Sequence, residues 1–423
     1  MRFTGLNGMA GSADEPSALV APRIRLLYFH HAHDPGGAVR SLAALVAGLD
    51  KQAIEPIVAI PDRPGADEVR ALLEKAGATV IAERHIRPFH GSTVVPVGTL
   101  REKIYSLAGL FPLALLARKL VRRLNPDIVH LNSTSVVGAA IGTRMSGARK
   151  PVIAHVREPL LRNRWGRWLA RLNRKCVDHF ISIDAEGLRS LGQPSPASSV
   201  IFNFVDTDVF RPDPARRAAE RLARGWGDDD VVFLSLSRIT AANGALELVR
   251  SIGNGDGRID KHARFAIAGF EDDGGTYQQQ VREAVDLSSR CDAIGFTHDV
   301  RGLIDAADVI VAPFTTPHSA RSVFEGAAMG KPALVTKLPN LQELIVEGET
   351  GLPYDPFDPD ELIDAVNMLC SPDERQAFSE AAFRFAGERF AARTNVARTV
   401  AVYHRLMATA GGNGASEKVA VHP

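Results

Sequence analysis

A single carboxylate, Glu325, stands in the stretch RSVFEGAAMGKPALVT, residues 321 to 336, and a run of small residues follows it. Small side chains allow a helix to pack closely against a sheet, and Gly330-Lys331-Pro332 would end that helix. A carboxylate is costly to bury without a polar partner. Glu325 is therefore either exposed, with the helix dipole as its only stabilisation, or aimed at a polar ligand.

A permanent positive charge, Arg238, follows the apolar run VVFLSLS (231–237) and precedes an Asn243-Gly244 helix start by five residues. A guanidinium just beyond the end of a parallel strand is placed to hold a pyrophosphate, because it binds phosphate oxygens in pairs and keeps its charge. The alternative is an ordinary surface ion pair.

A glycine pair, Gly36 and Gly37, lies between the first apolar run and an amphipathic segment. Such a pair lets backbone amides and a helix N-terminus approach a phosphate. The alternative is a tight turn that needs positive φ. Three histidines, His30, His31 and His33, precede the glycines, but no second cluster of ligands is recognisable, so we predict no metal site.

Short apolar runs alternate with helix-length amphipathic segments in two successive series. Unbroken apolar runs are typical of parallel strands that are covered on both faces. The first series is 23–29, 55–60, 78–82, 126–132, 151–156, 179–183 and 198–203, and the second is 231–237, 263–269, 292–296, 308–313, 332–336 and 351–355. A stretch rich in Pro, Arg and Asp, 211–230, separates them as a predicted linker. The pattern predicts an α/β protein with two doubly wound domains that present their strand carboxyl ends to a shared cleft.

Composition agrees with a soluble two-domain protein. The chain has 423 residues, of which 45% are hydrophobic and 23% charged, and its formal net charge is +1. That balance gives no global field for nucleic acid, and no zinc or helix-turn-helix pattern is recognisable, so we predict no nucleic-acid partner. Three scattered cysteines favour a reducing compartment over a disulfide framework.

Two segments could touch a membrane surface. Residues 104–123 are apolar at first, contain Pro112 and end in a basic cluster, whereas 162–175 interleave two tryptophans with arginines. Basic and aromatic residues together suit an anionic lipid surface. The alternative is an ordinary basic helix face with its tryptophans packed on the domain. The apolar part of the first segment, 104–117, is shorter than the roughly 20 residues that a spanning helix needs.

Taken in order, several motifs resemble the retaining glycosyltransferases of family 4. They are the GG-A segment near the N-terminus, NFVDTDVFRP, SLSRITAANG, IGFTHDVRGLIDAADVIVAPF and RSVFEGAAMGKPALVT. The resemblance spans about residues 23 to 408 and implies the GT-B fold, with two facing Rossmann-like doubly wound domains and C-terminal helices bracing the pair. It also implies a nucleotide sugar bound between the domains and no required metal or other cofactor.

The resemblance assigns roles to individual positions. Arg238 falls on the arginine of the donor diphosphate, Glu325 on the acid expected to bind ribose hydroxyls, and Arg157 near a residue beside the sugar; we give these three the catalytic role. The donor-binding positions are Gly36, Gly37, Asn243, Gly244, Gly295, Phe296, Thr297, Ala320, Arg321, Ser322 and Val323. Asn132 and His318 are assigned to the acceptor and sugar side, and no residue is assigned to a metal.

Several positions depart from the family pattern, among them His318, Ser319 and Ala320 for its Gly-Phe-Gly and Pro339 and Asn340 for a glycine pair, and two matter most. Asn243 stands where the family usually has a lysine, and Pro317 stands where it has the first of two spaced acids. Both changes affect the part of the pocket that holds the phosphates and the transferred sugar, and Arg321 could replace some of the lost charge. They also support an alternative interpretation, in which the chain is a glycosyltransferase-like binding subunit with impaired catalysis.

The function that we expect is a retaining transfer of sugar from a nucleoside-diphosphate donor to a hydroxyl of a glycan, a lipid-linked glycan or a small molecule. We expect a cytoplasmic protein that could lie on the inner face of a membrane. The predicted parts are a disordered leader (1–21), an acceptor-side domain (22–205), a nucleotide-sugar-binding domain (206–390), a helix packing back on the first domain (391–410) and a disordered tail (411–423).

Overall fold

The computed structural model describes residues 23–34, 36–93, 97–192, 197–272, 275–297, 299–317 and 319–411. The predicted leader and nearly all of the predicted tail lie outside these residues. The described chain forms two parallel sheets with helices on both faces, as the two series of apolar runs predicted.

The first half of the chain forms a seven-stranded sheet in the order β3-β2-β1-β4-β5-β6-β7. Its strands are β1 (Ile24–Phe29), β2 (Ile54–Pro61), β3 (Thr79–Glu83), β4 (Ile128–Leu131), β5 (Val152–Val156), β6 (His179–Ser182) and β7 (Ala197–Val200). Its helices are α1 (Gly37–Ala47), α2 (Ala66–Lys75), α3 (Leu100–Leu124), α4 (Val137–Met145), α5 (Arg164–Cys176) and α6 (Ala185–Ser190).

The second half forms a six-stranded sheet in the order β10-β9-β8-β11-β12-β13. Its strands are β8 (Val231–Leu236), β9 (Ala263–Phe270), β10 (Cys291–Gly295), β11 (Val309–Ala312), β12 (Ala333–Thr336) and β13 (Gly351–Tyr354). Its helices are α7 (Pro214–Arg224), α8 (Ala245–Gly255), α9 (Thr276–Asp286), α10 (Arg301–Ala306), α11 (Arg321–Ala328), α12 (Pro339–Gln342), α13 (Pro359–Cys370) and α14 (Pro372–Arg389), and α15 (Ala392–Gly411) ends the described chain.

Each sheet has an apolar core on both of its faces. In the first sheet, Leu27 and Phe29 belong to one core and Leu26 and Tyr28 to the other, and all four are fully buried. The second sheet divides its residues between two cores in the same way. Burial on both faces explains why the strands read as unbroken apolar runs in the sequence.

The chain crosses between the sheets twice, at adjacent places. Val205 pairs with Ala391 in a parallel bridge, and the Val205 amide donates to the Phe390 carbonyl at 2.9 Å. After the second crossing, α15 packs on the first sheet, where Tyr403 is fully buried in the same core as Leu26 and Tyr28. Helix α15 therefore ties the end of the described part of the chain to the first lobe.

We had predicted a linker at 211–230, but part of this stretch is a helix. Pro214–Arg224 forms α7, which begins at an Asp213 cap whose side chain accepts bonds from two backbone amides. Arg217 and Arg221 of this helix donate to the Ala306 carbonyl at the end of α10. Both also pair with Asp308, and Arg221 is only 5% exposed. The side chains of Arg221 and Asp308 are 6% and 13% exposed, so this ion pair is largely buried.

Helix α3 is, among the described residues, the one that is long and apolar enough to cross a membrane by length and composition alone. Only 44% of its most apolar window is buried within the protein. Its buried face packs closely on α4, because Gly142 has no side chain and approaches the Ala114 carbonyl; an added Cβ would lie 2.1 Å from that oxygen. Exposed apolar residues remain on its other face.

Candidate active site

The two lobes contact each other beyond the carboxyl ends of their strands. The Arg321 Nη1 atom on α11 lies 3.4 Å from Ser41 Oγ on α1. The Asn203 side chain, at the crossing, donates to Ser319 Oγ at 3.0 Å. A third contact joins the Ala185 amide on α6 to a Glu343 carboxylate oxygen at 2.7 Å. These contacts bring the two strand edges to a common cleft.

Arg238 lies in the loop directly after β8, and its residue is exposed. Its backbone carbonyl accepts bonds from the Thr240 amide (3.0 Å) and from the Asn243 side chain (2.8 Å). Within the described residues, its guanidinium makes no hydrogen bond or ion pair. The loop is thus held by its backbone, and the charge is left available to a ligand.

Asn243 and Gly244 shape the turn into α8. Because the side-chain amide of Asn243 donates to the Arg238 carbonyl, Asn243 stabilises the loop that carries Arg238. Gly244 has φ of +67°, and an added Cβ would lie 1.9 Å from the Pro313 carbonyl oxygen at the end of β11. Only glycine fits this approach, so the turn after β8 and the end of β11 lie side by side.

Glu325 lies in the second turn of α11 and is 6% exposed. The Arg321 Nε and Nη2 atoms donate to its Oε1 at 3.0 and 2.7 Å. Burial raises the pKa of Glu325, and the Arg321 charge opposes that rise. The carboxylate is neither exposed nor held by the dipole alone, since an arginine that also contacts the first lobe fixes its orientation.

The start of α11 is closely packed on the second sheet. Ala320, Ser322 and Val323 are buried, and an added Cβ on Gly326 would lie 2.3 Å from Ile310 Cγ1 on β11. The expected close packing of the small-residue helix is therefore confirmed. Pro317 lies just before the helix, and His318 lies outside the described residues.

Gly36 and Gly37 begin α1 at the carboxyl edge of the first sheet. Gly36 is the N-cap residue with φ of −70°, so the pair does not form a turn with positive φ. An added Cβ on Gly37 would meet no atom within 4 Å. The backbone there is open to approach by a ligand.

The turn after β10 presents its residues to solvent. Gly295 ends the strand at a β-bulge, and Phe296 is 53% exposed, while its amide donates to the Phe270 carbonyl at 2.7 Å. Thr297 Oγ1 lies 3.2 Å from the Asp299 carbonyl. An exposed aromatic ring at a strand end has a face on which a planar group could stack.

Arg157 and Asn132 form the wall of the first lobe. Arg157 Nη2 and Nε donate to Asn132 Oδ1 at 2.6 and 3.1 Å, and Nη1 donates to Asn203 Oδ1 at 3.3 Å. Burial, and then the charge of Arg321, lower the pKa of Arg157 to about 10. Arg157 therefore stays charged at neutral pH and adds to the positive charge that faces the second lobe.

Sequence reasoning missed several residues that join the lobes. Ser41, Ser319 and Asn203 take part in two of the polar contacts between the lobes, and His155 lines a small cavity beside Arg157. Asn203 opens the motif NFVDTDVFRP, which the family resemblance places at the hinge between the domains, whereas single serines such as Ser41 and Ser319 give no local signal. Within the described part of the chain, no group of three His, Cys, Asp or Glu side chains is arranged to hold a metal ion.

The comparison with known families agrees with this architecture. A family model described as Glycosyltransferase Family 4 matches residues 35–209, and one described as Glycosyl transferases group 1 matches residues 230–371. The two matches follow one another along the chain and cover both lobes. The chain belongs to the family 4 glycosyltransferases.

Two of the curated relatives have names that include a nucleotide sugar. The chain is 29% identical, over 218 residues, to the GDP-mannose-dependent alpha-(1-6)-phosphatidylinositol monomannoside mannosyltransferase of Mycolicibacterium smegmatis, with 48% of this chain and 56% of the relative aligned. It is 21% identical, over 73% of its length and 80% of the relative's, to the UDP-Gal:alpha-D-GlcNAc-diphosphoundecaprenol alpha-1,3-galactosyltransferase of Escherichia coli. The match thus spans little more than half of the mycobacterial enzyme.

Solved structures share the fold. Alr3699/HepE from Anabaena, in complex with UDP, superposes with a TM-score of 0.75 at 19% identity over 90% of this chain and all of that one. The same protein has also been solved in complex with UDP-glucose. At this level of identity the similarity establishes the GT-B fold, as the sequence predicted.

Proposed function

We propose that this protein is a retaining, metal-independent glycosyltransferase that moves a sugar from a nucleoside-diphosphate donor to a hydroxyl of a glycan, a lipid-linked glycan or a small molecule. The observation that carries the proposal is the exposed guanidinium of Arg238, which has no partner among the described residues and lies at the strand edge of the nucleotide-sugar domain. Membership of family 4 gives this charge its expected ligand, the donor diphosphate.

In this proposal, the residues of the cleft stabilise the departing diphosphate. Negative charge increases on its oxygens as the glycosidic bond breaks, and prearranged positive groups lower the barrier most where charge develops. Arg238 supplies a full charge, and the open backbone at Gly37 supplies amides at a helix N-terminus. Asn243 acts indirectly, because its amide holds the loop that carries Arg238.

Glu325 would bind the ribose hydroxyls rather than act as a nucleophile. Its Oε1 is used by Arg321, which leaves Oε2 for a hydroxyl donor. Pro317 offers no carboxylate where the family pattern has its first acid. The leaving phosphate would therefore take the proton of the acceptor hydroxyl on the same face of the sugar, and closure of the two lobes would exclude water.

The test is a donor panel. GDP-mannose, UDP-galactose and UDP-glucose are incubated with the purified protein, and release of the nucleoside diphosphate is measured with and without a lipid-linked acceptor and with a chelator present. We expect release from one donor that the chelator does not prevent. Binding of a donor without any release, across donors and acceptors, would instead favour a non-catalytic binding subunit.

The lipid-linked class of acceptor is supported by a surface on the first lobe. Five exposed apolar side chains form one stripe along α3 at positions i, i+4, i+7, i+11 and i+15: Leu100, Ile104, Leu107, Phe111 and Leu115. The segment between β3 and α3 links this stripe to α5, since Arg87 lies over Tyr105 and Phe89 stacks on Trp165. Exposed basic residues surround both helices.

We propose that this surface touches an anionic membrane. An apolar stripe flanked by arginines and lysines lowers its free energy by entering the lipid headgroup region while its charges pair with lipid phosphates. A protein working on the cytoplasmic face would then meet a lipid-linked acceptor at the surface on which it rests.

A further inference from the structure

Four buried side chains form a continuous hydrogen-bonded chain beneath the cleft. The hydroxyls of Tyr28 and Tyr403 are 2.9 Å apart, and Tyr403 is also 2.9 Å from His130 Nδ1. His130 Nε2 lies 2.9 Å from His155 Nδ1. The chain runs from β1 through the last helix, α15, to β4 and then to β5.

Tyr28, at the fully buried end of this chain, sets which group donates in each hydrogen bond. Tyr28 is fully buried and, within the described residues, its hydroxyl has Tyr403 as its one partner. If the protons ran the other way, the Tyr28 hydroxyl would have no acceptor, and a buried donor without an acceptor is unfavourable. Tyr28 therefore donates to Tyr403, and Tyr403 donates to His130 Nδ1.

The two imidazoles must follow the same order. Burial, with Arg157 as a further cause, lowers the pKa of His130 to about 3 and that of His155 well below its usual range, so both rings are neutral at pH 7. A neutral imidazole has one donor and one acceptor nitrogen. Because His130 Nδ1 accepts, its Nε2 donates to His155 Nδ1, and the proton of His155 lies on Nε2.

His155 faces a small cavity in the first lobe, beside the crossing at Asn203. It is 6% exposed and lines a cavity of about 10 Å³, the room of a single water, together with Arg157, Ser41 and Asn203. Its Nδ1 faces inward to His130, which leaves Nε2 as the nitrogen without a partner in the described part of the chain. The Arg157 guanidinium beside it can only donate.

The charges nearby favour an anion. The positive charge of Arg321, on the second lobe, lowers the pKa of Arg157, whereas the carboxylate of Glu158 raises it. That carboxylate is hydrogen-bonded to Ser92. Arg321 itself is paired with Glu325. His155 Nε2–H and the Arg157 guanidinium both donate hydrogen bonds, and the charge around them is positive. The cavity beside them therefore suits an oxygen acceptor that carries negative charge.

We propose that His155 is a hydrogen-bond donor of the active site, locked in its Nε2–H form by Tyr28, Tyr403 and His130, and that with Arg157 it holds one oxyanion oxygen of a bound phosphate. It is thus a binding residue that cannot serve as a general base. The inference rests on the proposed function, because it takes its ligand from the same cleft.

The tautomer is read directly by NMR. Long-range ¹H–¹⁵N spectra of the full chain, with ¹⁵N-labelled histidine, distinguish a protonated Nε2 from a protonated Nδ1, and the variants H130Q and H155Q assign the two rings. We expect Nε2–H for both rings at pH 7. An Nδ1–H form of His155 in the unmodified protein would overturn the proposal.

Two matched variants test the lock. Tyr403→Phe removes the donor to His130 Nδ1 and should allow a mixture of tautomers at both rings. Tyr28→Phe also deletes one buried hydroxyl, but Tyr403 can still donate only to His130, so the Nε2–H forms should persist. Identical spectra of the two variants would contradict the lock, and the result for the unmodified protein stands if either variant fails to fold.

The ligand is tested with UDP and inorganic pyrophosphate, whose dissociation constants are measured for two His155 variants. Gln keeps an N–H donor near the position of Nε2 and should bind within about threefold of the unmodified protein, whereas Phe should bind about tenfold more weakly, the effect of losing a bond to a charged group. Equal affinities of the two variants would overturn the assignment. None of these measurements needs turnover, so a protein that transfers no sugar would refute the proposed function alone.

Discussion

Arg321 and Glu325 form a two-bond ion pair on α11 in which two of the three guanidinium nitrogens, Nε and Nη2, reach the same carboxylate oxygen, at 3.0 and 2.7 Å. The carboxylate is 6% exposed, and the arginine also reaches Ser41 on the opposite lobe. The pair therefore holds a buried charge in one orientation and places it at the contact between the lobes. Without the arginine, the carboxylate would be buried alone.

This pair gives the first prediction. Arg321→Ala should lower the free energy of unfolding by about 3 kcal/mol, because it leaves an unpaired buried carboxylate. The double variant Arg321→Ala with Glu325→Gln should recover part of that loss, since the charge is then gone. Urea denaturation measures both. A double variant no more stable than the single one would show that the charge of Glu325 is not what the arginine compensates.

A second prediction concerns the packing of α11 on the second sheet. Gly326→Ala places a Cβ 2.3 Å from Ile310 Cγ1 and should destabilise the protein by about 1–3 kcal/mol through overpacking. The matched control is Gly387→Ala on α14, where an added Cβ meets no atom within 4 Å. That control should be neutral or stabilising by up to about 1 kcal/mol. Thermal and urea unfolding would detect the opposite signs.

Buried histidines predict a loss of stability in acid. Burial lowers the pKa of His31 and His179 to about 4, whereas in the unfolded chain an imidazole titrates near 6.5. Between these values the unfolded state binds protons that the folded state does not. Stability is therefore complete above about pH 6.5 and falls as the pH is lowered to 4. Asp184 acts in the opposite direction, because burial raises its pKa to about 6.

The variant His179→Asn isolates one of these groups. The slope of unfolding free energy against pH between 4 and 6.5 should decrease by about one proton. His404→Asn, at an exposed position of α15, should leave the slope unchanged. Denaturant titrations over that pH range give the slopes, and equal slopes for the two variants would show that His179 is not kept neutral by burial.

The apolar stripe of α3 predicts binding to anionic membranes. The protein should float with vesicles of phosphatidylglycerol and not with phosphatidylcholine alone, and 0.5 M salt should reduce binding because it screens the basic residues. Replacing Leu107 and Phe111 with serine should reduce binding at least about fivefold. Leu287→Ser, at an equally apolar residue that is 90% exposed on the other lobe, is the control. Equal flotation of all variants would contradict the proposed surface.

The strands and their grouping into two sheets could be predicted from the sequence because parallel strands buried on both faces give unbroken apolar runs. Leu26 to Phe29 illustrate this, with side chains alternating between two cores. Helix α7 was not predicted because arginines in a charge-rich stretch are normally expected to be exposed. In the structure, Arg221 is buried against Asp308. Partners 87 residues apart leave no local signal.

The candidate site could be predicted only in part for the same reason. The position of Arg238 at a strand end and the close packing of the helix that carries Glu325 both follow from the local sequence pattern. The partner of Glu325 was within reach, since Arg321 lies one turn earlier on the same helix, but the link from Arg157 through Asn203 to Ser319 depends on how the lobes meet. The chain from Tyr28 to His155 joins four distant elements and requires the fold itself.

The most direct test of the central claim is the turnover of Arg238→Ala with the donor that the unmodified protein uses. Arg238 is exposed and its loop is held by backbone bonds, so the variant should keep the unfolding curve of the unmodified protein. Release of nucleoside diphosphate should fall by at least about 100-fold, the loss of one charge from the departing diphosphate, while Arg250→Ala, an exposed arginine on α8, should retain full activity. Unchanged turnover in Arg238→Ala would contradict the account.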